Sequence, residues 1–407
     1  MLRFFKQNCL FTKLASVNLL SKVGDRLFYT AMLTTASLLP ESSIAVMVVS
    51  ASETIPILLS VFVGVVADRQ AKKIKFLVQS LLFRAIMYLG IGVVFCYHST
   101  LTLLLIVSLL NLLSDISGNY SSALFAPFTK KLISAKDMEE AQGILSLASQ
   151  LVNVLATFLG SVLLIVLSKS LLAVGNALIF IIVAGAFLRM SPQLRKTENT
   201  ITVSHSNSIF KAIHTSLGLF FKDRELTINL LQLCLLNGFF GGLVPIFTLF
   251  IKENKTLAIF SAPIKISLLS GLITLAMIGG NLLGARVLRR QSISNLTLIA
   301  DVFILLTSLG FLFNSFYLIL LASGLLSFLL GIISPRFSAE IVNRSPVERL
   351  GGIITTINAC LVIAPPLTSM IFPILSNLDI KFAYYGFLIY GAFLILSRLK
   401  FFQSHKS

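Results

Sequence analysis

Apolar runs of about twenty residues, parted by short polar loops, recur from one end of the chain to the other. Read as spans, they cover 14–39, 44–67, 75–97, 101–126, 141–168, 171–190, 226–251, 264–286, 293–313, 316–340, 349–375 and 381–400. About twenty helical residues cross the hydrocarbon core of a bilayer, and a helix satisfies all its own backbone polar groups inside lipid. The pattern predicts an all-α membrane protein with twelve transmembrane helices. The first run follows Arg3, Lys6 and Lys13, as a signal peptide would, yet it runs on too long and carries Lys22, Asp25 and Arg26. It reads as an uncleaved first helix.

One polar interval of any length, Ser191 to Glu225, divides the chain. We read 1–190 as an N-terminal six-helix bundle, 191–225 as a cytoplasmic linker and 226–407 as a C-terminal six-helix bundle. Ser191-Pro192 is expected to end the sixth helix, and the Ser/Thr/Asn-rich stretch from Thr197 to Asn207 to be loop. Ile209, Phe210, Ile213, Leu217, Phe220 and Phe221 then recur at helical spacing opposite Lys211, His214 and Lys222, which predicts a helix lying on the inner membrane surface. The halves read as repeats. A shift of 208 lays Glu140, Gly143 and Pro127 on Glu348, Gly351 and Pro335, and a shift of 220 lays Gly64 and Arg69 on Gly284 and Arg289. Internal duplication of this kind is common in transporter folds.

Charge orients the spans. The net charge is +17, but only 12% of the 407 residues are charged, against about 25% in soluble domains. Of the 33 Lys and Arg, twenty-five fall in one set of alternate loops and the termini, five in the other set, and three inside spans. Basic loops stay in the cytoplasm, so both termini are expected there. Basic residues scattered between spans form no continuous face for nucleic acid, and no nucleic-acid partner is expected. Cys9, Cys96, Cys234 and Cys360 stand singly, without metal-ligand spacing. His98, His205, His214 and His405 lie in loops, at span ends or in the tail, with no Ser/His/Asp constellation. The reading is a non-enzyme with no cofactor and no metal.

The candidate chemistry is the charge inside the spans. A charged side chain at the bilayer centre costs at least about 2.5 kcal/mol on insertion scales, so each is expected to have a partner or a watery cavity. The first span carries Lys22, Asp25 and Arg26, the second Glu53, the third Arg84 and the fourth Asp115. Lys22, Asp25 and Tyr29 are three and four residues apart and share a helix face. Asp25 lies about 12 residues, or about 18 Å, past Lys13, and Glu53 about 14 residues, or about 21 Å, before Ala67, so the two acids fall in a common layer. Two readings stand. Asp25 or Glu53 carries a proton beside a substrate cavity, or Asp25, Arg26, Glu53 and Arg84 neutralise one another as structural pairs. Asp115 reads as a structural partner of Arg84 or Lys22. In the C-terminal half, Pro365-Pro366 is a hinge candidate or a fixed kink.

The loop after the second span carries the clearest motif. Gly64, Asp68, Arg69, Lys72 and Lys73 match a pattern of Gly, three residues, Asp-Arg, one residue, Gly, two basic residues; Ala71 stands at the second glycine. Placed after a second transmembrane helix, it resembles the loop between helices two and three of the major facilitator superfamily. Gly24-Asp25-Arg26-Leu27-Phe28 and Phe221-Lys222-Asp223-Arg224-Glu225-Leu226 are similar to elements of that family's macrolide-efflux and enterobactin-exporter branch. The resemblance implies two six-helix bundles around a central cavity, and a loop that locks the inner gate through Asp68 at the start of the eleventh helix, near Glu348 to Gly351. It also implies a monomer in a bacterial inner membrane that exports a bulky, amphipathic, drug- or macrolide-like small molecule in exchange for protons. Two features of drug antiporters are missing: the fourth span reads Leu113-Ser114-Asp115 with no arginine, and Leu151 to Gly160 holds no proline. The alternatives are a dedicated exporter or importer of a siderophore, peptide or lipid, and a membrane sensor that does not transport.

Overall fold

The computed structural model describes residues 2–37, 39–40, 42–97, 100–203, 218, 223–253, 262–288 and 291–403. Side chains are described for most of these but not for all, Arg26 being one exception. Apart from residue 218, the surface helix expected around Ile209 to Phe221 lies outside the described residues. Helices account for nearly all the rest, and no strand occurs among the described residues. They are α1 (Leu2–Gln7), α2 (Cys9–Ser37), α3 (Ser42–Asp68), α4 (Lys73–Val94), α5 (Leu101–Leu132), α6 (Met138–Val166) and α7 (Lys169–Glu198). The second half adds α8 (Arg224–Glu253), α9 (Ala262–Val287), α10 (Ile293–Leu312), α11 (Phe316–Arg344), α12 (Leu350–Leu378) and α13 (Ile380–Gln403). α2 to α13 are the twelve long helices that the apolar runs predict.

Nine helices among the described residues are long and apolar enough to cross a membrane. α2 is not one of them, and it carries the charges of the first span; α9 contributes a shorter apolar stretch, Leu268–Gly284. The outside of the helices is greasy: Ile86 is 61% exposed and Ile389 68%. The inside holds Arg84, Asn111, Asn176, Asp301 and Arg398, all buried. Apolar surface turned outward, with charged and amide groups kept inside, is the arrangement that lipid, not water, favours. The chain is a multi-pass membrane protein.

Helix ends follow from local chemistry. The hydroxyls of Thr100, Ser168 and Ser292 accept from the backbone N–H groups of Leu103, Leu171 and Asn295 at 3.3, 3.2 and 3.1 Å, capping α5, α7 and α10. The α10–α11 turn passes through Asn314 at φ 52°, a left-handed position that asparagine tolerates. The sixth span does not end at Ser191-Pro192. α7 continues through Pro192 to Glu198, where the Glu198 carboxylate accepts from Ile74 N at 2.8 Å and supplies the first turn of α4 with a partner.

Two compact units are present. The first holds Met1–Ala141, Ala148–Lys222 and Ile341–Ala359, so the start of α12 packs with α2 to α7. Within it α4 packs on α7 and α5, α3 on α5, and α2 on α7 and α3. The second holds Gln142–Leu147, Asp223–Glu340 and Cys360–Ser407, with α10 packed on α13 and α8. Its core is a run of rings, among them Phe247, Phe250, Phe311, Phe316, Phe372 and Phe387.

Candidate functional site

The first unit encloses a cavity of about 290 Å³. α2 contributes Asn18, Ser21, Lys22 and Asp25; α3 contributes Glu53, Ile57 and Ser60; α4 contributes Arg84. Asp115, Gly118, Asn119, Ser121 and Ser122 come from α5, Ser149 and Asn153 from α6, and Ile354, Thr355 and Asn358 from the start of α12. Five of the six intramembrane charges singled out in the sequence therefore meet at one place. The sixth, Arg26, has no described side chain. Among the described residues the lining is almost wholly ionisable, amide or hydroxyl, and no phenylalanine is part of it.

Arg84 is the fixed point of the cavity wall. Its guanidinium pairs with Asp25 Oδ1 through Nη2, donates from Nη1 to Ser21 Oγ at 2.9 Å and from Nε to Ser114 Oγ at 3.3 Å. Its Cζ lies 4.1 Å from the centre of the Phe180 ring, a cation–π contact that strengthens away from water. Arg84 is 2% exposed and Asp25 24%, so the carboxylate is the member of the pair that faces the cavity. A second chain of polar groups runs from Tyr88 Oη to Asn111 Oδ1 at 3.0 Å and from Asn111 Nδ2 to Asp115 Oδ2 at 2.9 Å. Phe28 meets Tyr88 edge-on, with ring centres 5.0 Å apart. Across the cavity, Lys22 Nζ donates to Ser149 Oγ at 3.3 Å.

Gly24 explains why Asp25 can sit so close to α4 and α7. A Cβ at Gly24 would collide with the side-chain amide of Asn176 on α7. The absent side chain lets α2 lie against α7, and Asp25, one residue on, then reaches Arg84.

The loop motif is built around a second close approach. Asp68, the last residue of α3, accepts from Gly351 N at 2.9 Å through Oδ1 and from Gly352 N at 2.8 Å through Oδ2. These are orphan donors in the first turn of α12, and an anion there also meets the positive end of the helix dipole. Gly64, one helical turn earlier, lies against Thr355 and the Gly351–Gly352 backbone, and a Cβ there would collide with Thr355 Oγ1. Ser60 Oγ reaches Thr355 O at 3.2 Å. Lys73 is buried and donates from Nζ to Ala67 O at 2.8 Å, closing the turn between α3 and α4. Lys72 is exposed, without a side-chain capping bond. Arg69 keeps Nε and Nη2 buried with no hydrogen-bond partner. Pro365 and Pro366 lie inside the continuous helix α12, and Thr368 Oγ1 is 3.0 Å from Pro365 O, a hydroxyl placed to satisfy backbone near the prolines.

Several members of these constellations were not singled out from sequence: Tyr88, Asn111, Asn176, Phe180, Glu198, Gly352 and Thr355. Gly351-Gly352 beside the repeat match at Gly351 was the one available signal. The others are single polar or aromatic residues in apolar runs, and only the fold gives them partners.

A family model described as the Major Facilitator Superfamily matches residues 14–367. Comparison with curated proteins gives no match. Among solved structures, a bacterial homologue of the iron transporter ferroportin in an outward-facing state is similar at 16% identity and a TM-score of 0.76, over 96% of this chain and 98% of that one. The E. coli fucose:proton symporter FucP is similar at 14% identity and 0.66, over 95% and 97%. The proton:xylose symporter XylE is similar at 14% identity and 0.63, over 96% of each chain. Likeness at these identities shows the fold.

Proposed function

The chain belongs to the major facilitator superfamily, and from that premise we propose that it is a proton-coupled exporter of an amphipathic small molecule whose polar part is read by the first-unit cavity. The observation that carries this reading is the lining: Asp25, Glu53, Asp115, Lys22 and Arg84 stand among serines and asparagines. Such a wall rewards hydrogen-bonding groups on the cargo and penalises a cargo with none, because the wall's own polar groups would be left unpaired.

Coupling follows from the same groups. An ionised Asp25 is held by Arg84; adding a proton to its carboxylate weakens that attraction and leaves Arg84 with Ser21, Ser114 and the Phe180 ring. A proton and a cargo donor that compete for one carboxylate shift each other's affinity by the same factor, which is the thermodynamic core of exchange. Glu53, across the cavity on α3, is the second carboxylate open to this role. The Asp68 cap ties α3 to the start of α12 and serves as the inner-gate latch, biasing a two-state equilibrium, with Pro365 and Pro366 as the place where α12 flexes. The chain works as a monomer, with 1–190 and 226–407 as its two bundles and 191–225 as the connector. The outward direction, the bacterial inner membrane and the drug-like class of cargo rest on the resemblance of the Gly24–Phe28 and Phe221–Leu226 elements. A dedicated siderophore or peptide exporter is the second reading, and the polar lining favours it over a purely lipophilic drug.

The test is transport in proteoliposomes under an imposed pH gradient, with lipophilic dyes, macrolides and catecholate siderophores as the panel. Gradient-driven movement is expected for wild type, and Asp25→Asn or Glu53→Gln should abolish the gradient dependence while cargo still binds. Movement that keeps its gradient dependence in both variants would remove these carboxylates from the coupling.

A further inference from the structure

The second unit contains a buried polar cluster that the transport reading does not use. Asp301, midway along α10, is 0% exposed, and neither carboxylate oxygen has a hydrogen-bond partner. Arg398 on α13 is 1% exposed, and its Nε and Nη1 also lack partners. The two charges act on one another without touching. Arg398 Nη2 donates to Asn229 Oδ1 at 3.2 Å, and Gln232 donates from Nε2 to Ser397 Oγ at 3.2 Å while its Oε1 is unpartnered. Five buried polar atoms in one cluster are thus left open. Buried polar groups in native proteins are satisfied by protein or by ordered water, and internal water characteristically bonds buried polar atoms that protein leaves unpaired.

One face of α8 leads from the surface towards the cluster. Glu225, Asn229 and Gln232 follow one another at spacings of four and three along α8, so they share a face. Glu225 is exposed at the start of that helix, whereas Asn229 and Gln232 are buried. About 10 Å of helix separates Glu225 from Gln232, and the charge of Glu225 acts on Arg398. The polar face therefore runs from surface to interior and arrives at Arg398 through Asn229, and the charge of Arg398 acts in turn on Asp301.

We infer that the second unit holds a hydrated proton-binding site centred on Asp301, reached along the Glu225–Asn229–Gln232 face of α8. A proton arrives through water from the Glu225 end, forms an O–H bond on Asp301, and leaves by the same route; Arg398 stays protonated throughout and sets the local potential. The groups that bear on Asp301 are Arg398 and Tyr390 from α13, with Glu225 of α8 acting through Arg398. Tyr390 is tied up as a donor to Leu235 O at 2.7 Å.

The inference is read without any transport assay, so its outcome is separate from that of the coupling proposed for Asp25 and Glu53. Infrared spectra of the full chain in lipid nanodiscs would be taken across a pH titration in water and in deuterium oxide. The expected result is a carboxylic-acid C=O band that appears as pH falls, shifts in deuterium oxide and is lost in Asp301→Asn. Asp301→Glu, which keeps the acid and guards against a misfolded variant, should move the band and retain it. Glu225→Gln should retain it but slow its exchange after a jump into deuterium oxide. A spectrum unchanged by Asp301→Asn, or a band that responds to neither pH nor deuterium, overturns the inference.

Discussion

Gly24 shows how one missing Cβ places a charge in the cavity wall. Its neighbour across the helix interface is Asn176, whose amide oxygen and nitrogen are both buried without hydrogen-bond partners. Gly24→Ala would push a methyl group into that amide, and overpacking of this kind costs about 1–3 kcal/mol. The same shift would move Asp25 away from Arg84, so the loss should show in transport as well as in the unfolding temperature of the detergent-purified protein. Asn176→Ala in the Gly24→Ala background should recover most of the stability, because residues in contact are not additive. If the double variant is as unstable as the two single losses combined, the contact does not set the position of α2. At this scale the sequence disclosed the charges but not their neutral partners. Asp25 and Arg84 were visible because charge is rare inside apolar runs, and their pairing was one of the readings open. Asn176, Phe180 and Tyr88 carry no such mark, since a lone amide or ring in a transmembrane helix looks the same whether it packs or binds.

Helix α12 depends on a neighbour for its beginning. A short 3₁₀ turn, Val347–Arg349, precedes it, and the N–H groups of Gly351 and Gly352 find their acceptors on Asp68 of α3. Asp68→Asn keeps the shape of the side chain but removes the charge and replaces one acceptor oxygen with an amide donor. Loss of one capping bond together with the favourable dipole term is worth about 1–2 kcal/mol. The expected reading is faster hydrogen–deuterium exchange confined to the peptide spanning the start of α12, with little change in the peptides of α4 and α7. Exchange that stays as slow as in wild type would show that the glycines do not depend on the carboxylate. This contact was within reach of the sequence because the motif fixes which acid leaves the second span, and the repeat match marks Gly351. The continuation of α7 past Pro192 was not. A proline inside a helix forfeits one donor, and whether the helix goes on depends on what its far end gains. Here the gain is burial of Leu194 and the bond from Ile74 N to Glu198, neither visible from the local string of residues.

For the whole molecule, the decisive property is the direction in which the chain is threaded, since export and uptake are defined by it. From the uneven distribution of Lys and Arg, the N-terminus and the loop after α3 are expected in the cytoplasm. The cysteines offer a direct check, because Cys9, at the start of α2, and Cys96, beyond the end of α4, are both exposed. α2, α3 and α4 are three successive long helices, so these two thiols should emerge on opposite faces of the membrane. Variants that retain only Cys9 or only Cys96 would be treated with a membrane-impermeant maleimide on intact cells and again after permeabilisation. Cys96 should label in intact cells, and Cys9 only once the membrane is opened. The opposite pattern would turn the molecule over. The Asp68 contact, proposed above as a latch, would then face the outside, and the outward direction proposed for the cargo would have to be reversed with it.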